Sequence, residues 1–311
     1  MKTADELIRT YLADLKAALR GADKATVQDA LADAEEHLRT ALENESIEKE
    51  AEAEAIQTII QEYGEAEEIA QAYRSWEAAL PPALAATPAA RRSSSASANG
   101  TSPAGSSYPG FFDIYADPQA WGGLVYMLIS IITGTLYFSW AVTGLSTSLG
   151  VMILIIGIPV TILFLLSFRG VAFLEGRLVE ALLGERMPRR ASFTDSSLPW
   201  GERLKILLTG KATWLSWLYM ILMLPLGVIY FSIVVTLVAL ALTFTVSPIL
   251  SYVFNLPLTI VSNPEIYLEI PNYLSPLLTA LGVLIGTSTM HLTRWVGQIH
   301  GKFAKALLVS D

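Results

Sequence analysis

The sequence predicts an all-α membrane protein. It reads as a small N-terminal helical bundle joined to a polytopic membrane domain of four transmembrane helices, arranged as two parallel hairpin repeats with interfacial amphipathic helices. Three observations carry this. First, 52% of the residues are hydrophobic and only 16% charged, where soluble domains run at about 25% charged. Second, no charge falls between Asp117 and Arg169, or between Lys211 and Glu265, gaps of 51 and 53 residues. Third, the charge is split: residues 1–80 hold 8 Lys/Arg against 19 Asp/Glu, and residues 81–311 hold 13 against 10. An acidic head thus precedes a greasy, slightly basic body. Such a head does not neutralise phosphates, which argues against direct nucleic-acid binding.

The head, residues 1–80, divides into four helical stretches. Thr3-Ala4-Asp5-Glu6 fits a capping box, and Leu7, Ile8, Tyr11, Leu12, Leu15 and Leu19 follow at helical spacing. Val27, Ala30, Leu31, Ala34, Leu38 and Leu42 form a second stripe. Ile56, Ile59, Ile60 and Tyr63 form a third, ending at Gly64 as a C-terminal cap. Ile69, Ala70, Tyr73 and Trp76 suggest a short fourth helix. The remaining faces are mostly Glu, a pattern that solvation alone explains.

Residues 81–110 are a Pro/Ala/Ser/Gly linker with almost no apolar period, the composition of a disordered tether. Beyond it, residues 111–311 form the membrane domain. A span needs about 20 apolar residues, which places helices near 124–145, 148–168, 216–243 and 274–293, with Gly144–Gly150 as the first turn. Pro159 and Pro225 are expected to kink the second and third spans.

The two hairpins match one another. Trp121, Tyr126-Met127, Gly134, Tyr137-Phe138-Ser139 and Thr143 recur 93 residues later as Trp214, Tyr219-Met220, Gly227, Tyr230-Phe231-Ser232 and Thr236. Arg169, Val171, Gly176 and Ala181-Leu182-Leu183 recur 125 residues later as Arg294, Val296, Gly301 and Ala306-Leu307-Leu308. The repeats run 121–190 and 214–311, the second enlarged by an insert, 244–273. The expectation is a parallel repeat, both copies crossing in the same direction. Eight Lys/Arg fall in 169–211 and three more in the tail, against none in the turn or the insert. The Lys/Arg bias then places N-terminus, middle segment and C-terminus in the cytoplasm of a bacterial inner membrane, and the insert outside. Arg169–Leu183 and its copy read as interfacial helices, with Phe173, Leu174, Leu178 and Leu182 toward lipid and Arg177 and Glu180 toward water. The alternative is packing against the head.

Catalytic templates are missing. The chain has no cysteine, which removes thiolate metal sites and Cys nucleophiles. Its histidines, His37, His291 and His300, lie far apart. No phosphate loop, HExxH or GxSxG occurs. Adjacent helical residues such as Glu35-Glu36-His37 point about 100° apart and do not converge on one ion. No enzyme, metal or cofactor is expected. The insert, with Tyr252, Phe254, Glu265, Tyr267, Glu269 and Tyr273, is the candidate for stimulus detection, with a passive packed loop as the alternative. Gly134, Gly227, Gly282 and Gly286 are candidate helix-packing positions, within the bundle or in a homodimer.

Two resemblances emerge. The head resembles the HAAS (DUF1700-type) signalling domain in Tyr11-Leu12-Ala13-Asp14-Leu15, Ala34-Glu35-Glu36-His37-Leu38 and Tyr63-Gly64-Glu65-Ala66-Glu67-Glu68-Ile69-Ala70, with Ala66 where that family usually has Pro. The repeated part is similar to the bacterial sensor domain found ahead of some histidine kinases, through Tyr137-Phe138, Gly157-Ile158-Pro159, Arg169, Glu175-Gly176-Arg177, Pro225-Leu226-Gly227 and Tyr230-Phe231. These resemblances imply a bacterial signalling protein, often encoded beside a PadR-like regulator or a transporter. The expected function is a non-enzymatic membrane sensor whose head binds a cytoplasmic regulator through Glu35, Glu36, His37, Tyr63, Glu67 and Glu68. The alternative is an accessory subunit of an ABC-type export complex. A linker of about 30 residues averages roughly 30 Å in span, so coupling is expected by occlusion or local concentration rather than by a rigid lever.

Overall fold

Thr3 opens the first helix with a reciprocal cap: its Oγ1 accepts the Glu6 N–H at 3.3 Å, and Glu6 Oε2 accepts the Thr3 N–H at 3.1 Å. The structure is a computed structural model that describes residues 3–44, 52–79, 110–151, 157–189, 209–255, 257–263 and 266–309. The head holds α1 (Ala4–Ala18), α2 (Lys24–Asn44), α3 (Glu52–Tyr63) and α4 (Ala66–Ala79). Gly64 ends α3 at φ +114°, a left-handed conformation that only glycine adopts freely. Ile8, Tyr11, Leu15, Leu19, Ala30, Ala34, Leu38, Ile56, Ile59 and Ala70 form one core, each large side chain contributing roughly 1.5–3 kcal/mol of burial. Tyr11 donates its hydroxyl to the Gly64 carbonyl at 3.0 Å, and Tyr73 donates to Asp33 Oδ2 at 2.7 Å, tying α1 and α4 to their neighbours. Trp76 does not join this core; it is exposed. The linker expected at 81–110 lies outside the described residues, apart from Gly110.

After a 3-10 turn, Asp113–Ala116, the membrane domain comprises α5 (Pro118–Val151), α6 (Gly157–Leu183), α7 (Lys211–Phe254) and α8 (Ser275–Leu308). Between α7 and α8 lies a short antiparallel hairpin, β1 (Thr259–Asn263) and β2 (Ile266–Glu269), with Val261 opposite Tyr267. The described chain is therefore helical apart from this hairpin. Among the described residues, three helices are long and apolar enough to cross a membrane: α5, α7 and α8.

The helices are longer than expected, because uninterrupted apolar runs carry no stop signal. The turn predicted at Gly144–Gly150 is helical and belongs to α5. The insert's first eleven residues, 244–254, extend α7 through Pro248, which makes α7 about 66 Å long, roughly twice a hydrocarbon core. Pro159 lies on α6, two residues after Gly157. Pro225 is inside α7.

The expected interfacial helices are not separate elements. Arg169–Leu183 is the second half of α6, and its counterpart is the second half of α8. Leu178, Leu182, Phe303 and Leu307 pack against a core of Tyr126, Val179, Leu183, Tyr219, Met223 and Ala304. Phe173, Leu174, Trp295 and Ile299 are exposed. Arg177 is not left to water: it pairs with Glu180 at 2.7 Å and donates to the Met187 carbonyl at 3.0 Å.

The parallel repeat is overturned. Helices α5 and α7 lie side by side but run in opposite directions. At one end, Gly286 of α8 touches both Ala241 of α7 and Tyr115, just before α5 begins. At the other, Thr213, Trp214 and Trp217 at the start of α7 share a cavity with Leu145, Ser148 and Leu149 at the end of α5. Four successive crossings with alternating direction would instead make α5 parallel to α7. The close approach explains the pairing: a Cβ on Gly134 would strike the Met223 carbonyl, and one on Gly227 would strike the Ser130 carbonyl. Residue 223 is residue 130 plus the same 93 that separates the two glycines, so the two faces are self-complementary in reverse order.

Candidate functional site

At the centre of the α5/α7 pair, six polar side chains from all four long helices meet. Tyr126 and Tyr137 come from α5, Glu175 from α6, Tyr219 and Tyr230 from α7, and His300 from α8. Glu175 is 1% exposed and His300 is likewise 1% exposed. Glu175 Oε1 accepts hydroxyl protons from Tyr126 at 2.6 Å and Tyr219 at 2.7 Å, and Oε2 accepts from Tyr137 at 2.8 Å. His300 Nε2 lies 2.6 Å from the Tyr126 oxygen and 3.1 Å from that of Tyr219. Its Nδ1 lies 3.2 Å from the Tyr230 oxygen.

The proton count closes. Each phenol has one proton. With Tyr126 and Tyr219 donating to an ionised Glu175, their oxygens can only accept from His300. The imidazole then carries its proton on Nε2, and Nδ1 accepts from Tyr230. Every polar group of the cluster has a partner, and three phenols supply charge-assisted hydrogen bonds to the carboxylate. Helix placement follows from spacing: Tyr126 and Tyr137 are eleven residues apart, three helical turns, and so share one face of α5. The pairs Tyr126/Tyr219 and Tyr137/Tyr230 are each 93 residues apart, and Glu175 and His300 are 125 apart.

The head touches α8, which supplies the base, and the segment that follows α6, the helix that supplies the acid. Lys305, one and a half turns beyond His300 on α8, lies between Asp23 at 2.5 Å and Glu185 at 2.9 Å. Asp29 of α2, itself buried, accepts the Arg189 backbone N–H at 2.8 Å. At the other end of the cluster region, Arg294 pairs with Asp117 at 2.8 Å, both nearly buried.

The residues singled out in the sequence are scattered. Glu35 pairs with Arg39 at 3.1 Å, which also reaches Asp5 at 3.0 Å. His37 stacks on Tyr63 with centroids 4.8 Å apart, and both line a cleft with Asp33, Glu36 and Thr40. Glu67 and Glu68 occupy the first turn of α4, where they complement the helix dipole. In the insert, Tyr252, Phe254 and Tyr273 are exposed, Tyr267 and Glu269 sit on β2, and Glu265 is outside the described residues. The four glycines all face neighbours within the chain: Gly134 and Gly227 as above, Gly282 against Phe244 and Thr245, Gly286 against Tyr115 and Ala241. His291 donates from Nε2 to the Phe111 carbonyl at 3.3 Å.

Sequence reasoning missed the cluster. Glu175 falls in a segment read as interfacial, and His300 was one of three scattered histidines. A usable signal existed: extending the 125-residue register by one position before Gly176 and Gly301 pairs Glu175 with His300, an acid aligned with a base.

A greasy helical body whose long helices are joined by a buried polar cluster, with a small helical bundle attached, is consistent with a membrane protein. The Sensor family model matches residues 126–308 and the HAAS family model matches residues 10–72. The chain belongs to the Sensor family and carries a HAAS domain at its N-terminal end. Neither is an enzymatic family. No curated protein and no solved structure matches the chain.

Proposed function

We propose that this protein is a non-enzymatic membrane sensor that couples a stimulus in the bilayer or at its outer face to a cytoplasmic regulator. One observation carries the reading: α8, which supplies His300, reaches the head through Lys305 and Asp23, and the segment just beyond α6, the helix that supplies Glu175, reaches it through the Arg189 N–H and Asp29. A stimulus that re-packs the long helices disturbs the cluster, shifts the ends of α6 and α8, and loosens the head. The released head then presents its acidic faces to a partner, of which a PadR-like regulator is the leading candidate. Contact of the head with both Arg189 and Lys305 supports a shared location for these segments. The Lys/Arg bias makes that side the cytoplasm of a bacterial inner membrane.

Charge reversal at Lys305 tests the coupling. In the full-length protein in lipid nanodiscs, Lys305→Glu is expected to raise amide exchange across the start of α2, with the cluster helices unchanged. Equal exchange in both proteins would overturn the docking. Co-purification from native membranes then separates a soluble regulator from an export permease, and recovery of a stoichiometric permease alone would favour the accessory-subunit reading.

A further inference from the structure

The C-terminal half of α1 and the N-terminal half of α2 flank an open groove of about 530 Å³ on the head. Its walls are apolar: Leu19 is buried, and Leu12, Val27 and Leu31 are half-buried. Its rim is cationic, with Lys16, Arg20 and Lys24 all exposed. This inverts the charge of a head that holds 8 Lys/Arg against 19 Asp/Glu. The carboxylate among the lining residues, that of Glu35, is already paired with Arg39 at 3.1 Å. The groove also has a fixed place. Asp23, in the turn between Arg20 and Lys24, holds Lys305 of α8 at 2.5 Å, so the cationic end of the groove abuts the membrane domain.

We infer that this groove binds an anionic phospholipid of the adjoining leaflet. An acyl chain lies along Leu12, Val27 and Leu31, and the phosphate meets Lys16, Arg20 and Lys24. An apolar space of about 150 Å³ holds a benzene ring, so a run of methylenes fits here. Charge selects the headgroup. Each Lys or Arg beside an anionic lipid surface is worth about fivefold in binding, and a zwitterionic headgroup forfeits that gain. Lipid binding here rests on the docked head of the proposed function, because docking is what brings the groove to the bilayer. Lipid composition then sets how firmly the head is held, a second input to its release.

The test uses the full chain in phosphatidylcholine nanodiscs doped with a photoactivatable lipid, either phosphatidylglycerol or phosphatidylcholine, with a diazirine on one acyl chain. Crosslinks are mapped by mass spectrometry. The phosphatidylglycerol probe is expected to label residues 12–35 at least about fivefold more than its zwitterionic counterpart. Replacing the three cations together, Lys16→Gln, Arg20→Gln and Lys24→Gln, should lower that ratio to below about twofold, with labelling of α8 around the exposed Trp295 unchanged. All three side chains are exposed, so the fold is kept. Lys16→Arg with Lys24→Arg retains the charges and should retain the ratio. Absence of label in residues 12–35, equal label from the two probes, or an undiminished ratio in the Gln variant would each overturn the inference. Failure of docking reads differently. Exchange at the start of α2 would then be equal in wild type and Lys305→Glu, whereas a failed lipid site leaves that difference intact.

Discussion

Glu175→Ala is the sharpest perturbation of the cluster. The side chain is buried and accepts three tyrosine hydroxyls at 2.6, 2.7 and 2.8 Å. Its removal does not strand all three. Tyr126 can rotate its proton toward His300 Nε2, already 2.6 Å away, once the imidazole adopts the other tautomer. Tyr219 and Tyr137 are then left without an acceptor of equal quality. At roughly 1–3 kcal/mol for each stranded buried donor, the loss is about 2–6 kcal/mol, before any contribution from the space left behind. At about 2–4 °C per kcal/mol for a domain of this size, the midpoint falls by roughly 8–16 °C for a loss near the middle of that range. Glu175→Gln keeps an acceptor oxygen but turns the other position into a donor facing donors, so it should lie between wild type and Ala. The assay is thermal unfolding of the full chain in detergent, followed by tryptophan fluorescence. If Ala melts within about 2 °C of wild type, the cluster does not hold the helices and the reasoning fails. A Gln variant less stable than Ala would show that the carboxylate is not the acceptor assigned here.

Other expectations follow from the same structure. Gly227→Leu forces a side chain against the Ser130 carbonyl and should cost about 1–3 kcal/mol by overpacking, read as a lower melting point; an unchanged midpoint would contradict the close α5/α7 approach. Asp117→Asn removes one charge from the nearly buried pair with Arg294 and should cost about 3–5 kcal/mol, with Arg294→Met adding little further in a double-mutant cycle. Burial, and then the neighbouring Tyr63, push the Tyr11 phenol up to about 12. The folded head thus favours neutral Tyr11, and the stability that this supplies is intact below the ordinary value near 10. It is lost as pH rises from there through the folded value. Tyr11→Phe should therefore weaken the protein by about 1 kcal/mol at pH 7, through the lost bond to Gly64, and should show a shallower decline in melting temperature between pH 9 and 11.

The head was largely legible because its signals are local. The Thr3 box, the Gly64 stop and the apolar stripes each depend on neighbours within a turn or two. Trp76 lies on the expected fourth helix, but the stripe did not show that its ring would be exposed, because a stripe shows which face is apolar and not where the partner helix ends. In the membrane domain, the same greasiness that announced the helices hid their limits: α5 and α7 run on through Gly144–Gly150 and Pro248, because packing and an apolar setting override the local breakers. The cluster was the hardest to see. Tyr126 and His300 are 174 residues apart, and only the repeat register related their neighbours.

Composition, apolar length and charge distribution, read along the chain, determine that this is a helical membrane protein with an acidic soluble head, because burial in lipid demands long uncharged helices whatever their arrangement. Which helices face one another is another matter. Two glycine-lined faces can meet in either direction, and the Lys/Arg counts, by putting both ends and the middle segment on one side, pointed to the other one. Only the packing of Gly134 on Met223 and Gly227 on Ser130 decided that α5 and α7 run oppositely, and with that decision came the meeting of Glu175 and His300 and the seat on which the head rests.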